Sequence, residues 1–138
     1  MTEREKMLAG EPYYAGDEEL CALRLEAKKL CYAYNALPPT ASEAERAEIL
    51  GQLIGEADGV PYIKPAFHCD YGCNLTIGKH FYSNYNLMIL DCARVTIGND
   101  VLIGPNVSIL TAGHPLDPAD RKAELEFAAP IVIGDDVW

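Results

Sequence analysis

His114 sits in the segment Thr111-Ala-Gly-His114-Pro-Leu-Asp117 and is one of only three histidines in the chain. An imidazole titrates at about pH 6.5, so it can accept a proton near neutrality and give it back within one reaction cycle. The chemistry this offers is general-base catalysis. A histidine before a proline is also an ordinary turn residue, and one imidazole alone defines no reaction. Asn84, in Phe81-Tyr-Ser-Asn84-Tyr-Asn86, is by its own type a turn residue whose side chain satisfies backbone groups. His68, His80, Cys69, Cys73 and Cys92 could be assembled into a zinc site on paper. Their spacings match none of the usual ligand patterns, so no metal is expected.

The bulk properties remove several function classes. The 138 residues carry a formal net charge of −10. Phosphate contacts need clustered Lys and Arg, so a nucleic-acid partner is not expected, nor is an anionic membrane surface. No apolar run approaches the roughly 20 residues of a membrane helix. The charged start Met1-Thr-Glu-Arg-Glu-Lys6 lacks the apolar stretch of a secretory signal. The five cysteines, Cys21, Cys31, Cys69, Cys73 and Cys92, contain no Cys-x-x-Cys pair. They read as small buried hydrophobes of a reducing compartment, and the expected location is cytoplasmic.

Two kinds of element must position the candidate residues. Residues 1–57 read as helical. Asp17 precedes Leu20, Leu23, Ala27, Leu30 and Tyr34 at helical spacing, and Pro38-Pro39 ends that run. Ser42-Glu-Ala-Glu45 is a capping box ahead of Ile49, Leu50, Leu53 and Ile54. Residues 58–138 follow another rhythm. Val95, Val101 and Val107 recur every six positions, as do Ile97, Ile103 and Ile109. Ile-Gly pairs stand at 97–98, 103–104 and 133–134. A six-residue beat matches neither an amphipathic helix nor a hairpin-linked sheet; it matches short strands forming the sides of a coil.

The beat has two irregularities. Ile77-Gly78 lies two residues out of phase with Ile97, which predicts an insertion within 79–94, placed near Asn84-Tyr-Asn86. Pro115, Pro118 and Pro130 predict an excursion loop over 112–130. The pattern resumes at Ile131 and reaches Trp138 with no capping segment, so the coil is read as incomplete, a fragment or one covered by another subunit.

At these residues the chain resembles the hexapeptide-repeat acyltransferases, and more narrowly the maltose/galactoside O-acetyltransferases. Three segments carry the likeness: Glu5-Lys-Met-Leu-Ala-Gly-Glu-Pro-Tyr13 with Arg24-Leu-Glu-Ala-Lys28 and Tyr34-Asn35; Phe67-His-Cys-Asp70-Tyr-Gly-Cys-Asn74 with Phe81–Asn86; and Thr111–Asp117. The resemblance implies a mainly β fold, a left-handed parallel β-helix with an N-terminal α-helical segment, assembled as a homotrimer with active sites between subunits. It implies acetyl transfer from acetyl-CoA to a hydroxyl of a sugar such as maltose, glucose or a galactoside, without an acyl-enzyme.

On this resemblance His114 is the general base and Asn84 an oxyanion or acceptor ligand. The acceptor-binding candidates are Asp17, Arg24, Asp70, Tyr82, Asp91 and Glu126. Asp17 reads equally as the N-cap of the helix it precedes, and Asp91 as a corner residue. Cys92 replaces an aspartate of galactoside-type relatives. Trp138 matches a residue beside the acetyl end of acetyl-CoA, and Arg121-Lys122 is the one adjacent basic pair near His114. Two rival readings stay open: a truncated, non-catalytic hexapeptide-repeat trimer, and an acetyltransferase for another oligosaccharide acceptor.

Overall fold

The computed structural model describes all 138 residues. The first helix, α1 (Glu3–Ala9), is capped by Thr2, whose hydroxyl accepts the Glu5 amide while the Glu5 carboxylate returns to the Thr2 amide. Two orphan N–H groups are satisfied at once. A short strand, β1 (Tyr13–Tyr14), follows. In α2 (Glu18–Asn35) the Asp17 carboxylate accepts the Glu19 and Leu20 amides, as an N-cap should. Its buried stripe is Leu20, Ala27, Cys31 and Tyr34. The Ser42/Glu45 capping box opens α3 (Glu43–Leu53), which buries Leu50 and Leu53.

The remainder winds as a three-sided coil. Its strands are β2 (Glu56–Ala57), β3 (Tyr62–Ile63), β4 (Phe67–Cys69), β5 (Leu75–Ile77), β6 (Tyr82–Ser83), β7 (Leu87–Leu90), β8 (Val95–Ile97), β9 (Leu102–Ile103) and β10 (Ser108–Leu110). After them come β11 (Ala112–Gly113), α4 (Pro118–Lys122), β12 (Leu125–Ala128) and β13 (Ile131–Ile133). The sides are three parallel sheets, β2-β5-β8-β13, β3-β6-β9 and β4-β7-β10. Tyr62 lies opposite Tyr82 and Tyr82 opposite Leu102, so one turn takes 20 residues. Leu75, Val95 and Ile131 stack in register, as do Ile77, Ile97 and Ile133. Leu75, Ile77, Val95 and Ile97 are buried, each contributing roughly 1.5–3 kcal/mol, while Ile131 and Ile133 at the end of the stack are half-buried.

The register relocates the expected insertion. The aligned positions Ile77, Ser83 and Ile89 are six apart, and the next, Ile97, is eight further on. The two extra residues therefore widen the Asp91–Arg94 corner and not the Asn84–Asn86 corner. The wide corner is filled from within by the Asp91 carboxylate, which accepts the Tyr71 amide at 2.8 Å and the Asn74 amide at 3.3 Å from the preceding turn. Buried backbone groups need such partners.

The 112–130 excursion also has structure of its own. β11 and β12 pair antiparallel, and β12 pairs antiparallel with β1, with Tyr13 opposite Glu126. A second apolar cluster, Met7, Tyr13, Leu20, Tyr71, Cys92, Ala93 and Ala128, cements this sheet to the coil. Helices and strands share the chain about evenly, so the fold is mixed α/β with parallel sheets where a mainly β fold was expected. No helix is long and apolar enough to cross a membrane.

Candidate active site

Thr111 fixes the start of the His114 segment. Its hydroxyl donates to the Leu90 carbonyl at 2.7 Å and accepts the Ala93 amide at 3.0 Å. Gly113 comes next because a side chain there would strike the Phe127 ring of the paired strand. The backbone thus delivers His114 to the coil's edge, where its side chain is 65% exposed. Its Nδ1 lies 4.0 Å from Glu126 Oε1. The other Glu126 oxygen accepts the Tyr13 hydroxyl at 3.1 Å. Tyr13 is buried, and burial, with Cys92 and Glu126 beside it, pushes its hydroxyl well above the usual phenol range.

Arg24 reaches the same place from α2. It donates to the Tyr71 hydroxyl at 2.7 Å and the Ala15 carbonyl at 2.8 Å, and its guanidinium lies 5.8 Å from the Tyr71 ring centre. Arg121 braces the chain beyond the histidine, donating to the Pro115 and Leu116 carbonyls at 2.9 and 2.7 Å. Gly16, Arg24, His114, Arg121, Glu124 and Glu126 are among the residues lining a cavity of about 340 Å³. A base, its carboxylate neighbour and hydrogen-bond donors around such a space can hold a polyhydroxylated molecule and take a proton from it.

The other sequence candidates divide. Asp17 caps α2, one residue past Gly16 of the cavity wall. Asp70 accepts the Cys92 thiol at 3.3 Å. Burial, with Asp70 nearby, pushes that thiol up to about 12. Asp91 had two readings, an acceptor ligand and a corner residue. It is fully buried, with one carboxylate oxygen on each of two backbone amides, and serves as a strut of the corner. Asn84 and Tyr82 are not brought to His114. Asn84 lies at the β6–β7 corner, at the opposite end of the β4-β7-β10 side from His114, and its Oδ1 accepts the Tyr85 amide at 2.9 Å. Tyr82 stacks on Tyr62 with ring centres 5.6 Å apart. Trp138 is 93% exposed beyond β13. No three His, Cys, Asp or Glu side chains gather as a metal site. Tyr13 and Tyr71 were missed as parts of the site. Their roles depend on pairings across 113 residues (Tyr13 with Glu126) and 47 residues (Tyr71 with Arg24), which no local pattern signals.

Comparison with known proteins agrees with this architecture. Residues 6–59 match the maltose acetyltransferase hexapeptide capping motif. A putative acetyltransferase of Dictyostelium discoideum is 43% identical over 138 residues, covering 100% of the chain and 71% of the relative. The crystal structure of a maltose O-acetyltransferase from Clostridium difficile 630 superposes with a TM-score of 0.95 at 41% identity, covering 100% of this chain and 73% of that one. A galactoside acetyltransferase in complex with coenzyme A gives 0.93 at 35% identity, covering 100% and 68%. On this likeness in sequence and fold along its whole length, the chain belongs to the maltose/galactoside O-acetyltransferase family of hexapeptide-repeat acetyltransferases.

Proposed function

We propose that this acetyltransferase moves an acetyl group from acetyl-CoA to a hydroxyl of a neutral sugar such as maltose, glucose or a galactoside. The observation that carries the reading is His114 at the mouth of a polar cavity, beside Glu126 and Arg24, in a chain of this family. A sugar hydroxyl is a poor nucleophile at neutral pH. His114 removes its proton as its oxygen attacks the thioester carbonyl, and returns a proton to the departing thiolate. The Asn84 amide donates to the carbonyl oxygen as negative charge grows there. Asp17, Arg24, Asp70 and Tyr82 hold the acceptor hydroxyls, and Trp138 packs beside the acetyl end of the donor.

In this reading the coil is left-handed and three copies associate, so that His114 of one subunit meets Asn84 and Tyr82 of its neighbour. The separation of Asn84 from His114 within one chain supports that arrangement, as do the exposed Tyr62, Met88, Leu102 and Leu110 on the outer faces. The cysteine usage supports a cytoplasmic setting.

The test is acetyl transfer to maltose, followed by release of the coenzyme A thiol. His114→Ala should lower kcat by about 10²–10⁴-fold, the usual worth of a general base. Turnover equal to wild type would sink the reading. A longer oligosaccharide acceptor is the second reading, favoured by an aromatic surface beside Asn84. Tyr62 and Tyr85 line a groove of about 580 Å³, and Lys64 Nζ lies 4.7 Å from the Tyr85 ring centre. A kcat/KM rising from glucose through maltose to maltotriose supports that acceptor class; a flat series rejects it.

A further inference from the structure

The geometry points to a positioning relay in which Tyr13 of the N-terminal segment holds Glu126 and Glu126 orients the His114 imidazole. Tyr13 is 1% exposed, and the β1–β12 register sets it directly across from Glu126. Its hydroxyl donates to one Glu126 oxygen at 3.1 Å, which leaves the other oxygen facing His114 Nδ1 at 4.0 Å.

Every other charged group near the imidazole is engaged elsewhere. Arg24 is anchored by Tyr71 and Ala15, and Arg121 by the Pro115 and Leu116 carbonyls, and neither hydrogen-bonds the imidazole. Glu124 faces the Tyr14 hydroxyl. Cys92 lies against Tyr13 and Asp70. His114 makes no side-chain hydrogen bond and is largely exposed, so nothing but Glu126 selects its tautomer. A carboxylate beside Nδ1 favours the Nδ1–H form and leaves the Nε2 lone pair free to act as base. Glu126, expected to bind the acceptor, is thereby reassigned to the histidine. Tyr13, buried where β1 meets β12, becomes a positioning residue delivered by the N-terminal segment.

Only the kinetic consequence rests on the acetyl-transfer reading. The relay itself is tested without substrate, by ¹⁵N NMR of His114 in the 138-residue chain at alkaline pH, assigned through His114→Ala. Wild type should favour Nδ1–H. Tyr13→Phe keeps the buried ring and should move the balance toward Nε2–H. Glu126→Gln should move it further, and the double variant no further than Glu126→Gln. A wild-type balance in either single variant overturns the relay, as does a Tyr13→Phe shift of equal size in the Glu126→Gln background. In turnover, Tyr13→Phe should cost ~5–10-fold in kcat with KM unchanged. If His114→Ala turns over normally while the tautomer shifts hold, the acetyl-transfer reading fails and the relay stands.

Discussion

Asp91 shows how one side chain closes a corner. It contributes a carboxylate with no exposed surface, and two backbone amides from the turn below take one oxygen each. Asp91→Asn keeps the shape but sets an NH₂ against one of those N–H groups. The expected loss is about 1–3 kcal/mol, read by urea unfolding. Burial raises the Asp91 pKa, outweighing the amide bonds that lower it. Its folded pKa therefore lies above the unfolded one, so in the window between them the folded state holds the extra proton. The Asp91 contribution is full below the ordinary aspartate value and is lost as pH rises through the raised one. Asp91→Asn should flatten that slope of stability against pH; an unchanged slope would refute the assignment. The sequence offered Asp91 as a corner residue but not what it holds there, because the partner amides lie 17 and 20 residues back. Asp17 and the Ser42/Glu45 box were legible, since a cap and its amides sit within three residues.

At the scale of elements, the six-residue beat showed that strands and corners repeat but not which corners are crowded. Gly98 lies against the Gly134–Asp135 backbone and side chain of the next turn, and a Cβ there would collide with both. A Cβ on Gly78 would come within 2.5 Å of the Gly98 carbonyl oxygen. Gly104 occupies the same place in its Ile-Gly pair yet has open space around it. The pattern treats these glycines alike; the packing does not. Gly98→Ala should cost about 1–3 kcal/mol, the usual penalty for overfilling a packed site. Gly104→Ala should stay within about 0.5 kcal/mol of wild type. Equal melting shifts for the two would contradict this account of the corners. The β1–β12 pairing was hidden for a related reason. A two-residue strand carries no periodicity, so only the fold shows that the N-terminal segment and the excursion share a sheet.

At the scale of the whole molecule, one chain sets the proposed catalytic residues at different corners: His114 with Glu126 and Arg24 at one, Asn84 with Tyr82 at another. The sequence supplied both sets through resemblance but could not show that a single coil keeps them apart, since that depends on which corner each residue turns. Rotational symmetry with a head-to-tail interface would join His114 of each copy to Asn84 of the next. That arrangement makes a quantitative demand. Subunits carrying His114→Ala and subunits carrying Asn84→Ala should each be inactive as pure assemblies. Co-refolded in equal amounts, they assort at random. An interface is intact only when the subunit giving His114 bears the Asn84 change and its neighbour bears the His114 change. One interface in about four meets that condition in a randomly mixed cyclic assembly. Acetyl transfer should therefore return to about a quarter of wild type. If each site were built within one chain, every mixed assembly would stay as inactive as its parents, and shared-site trimerisation would be excluded.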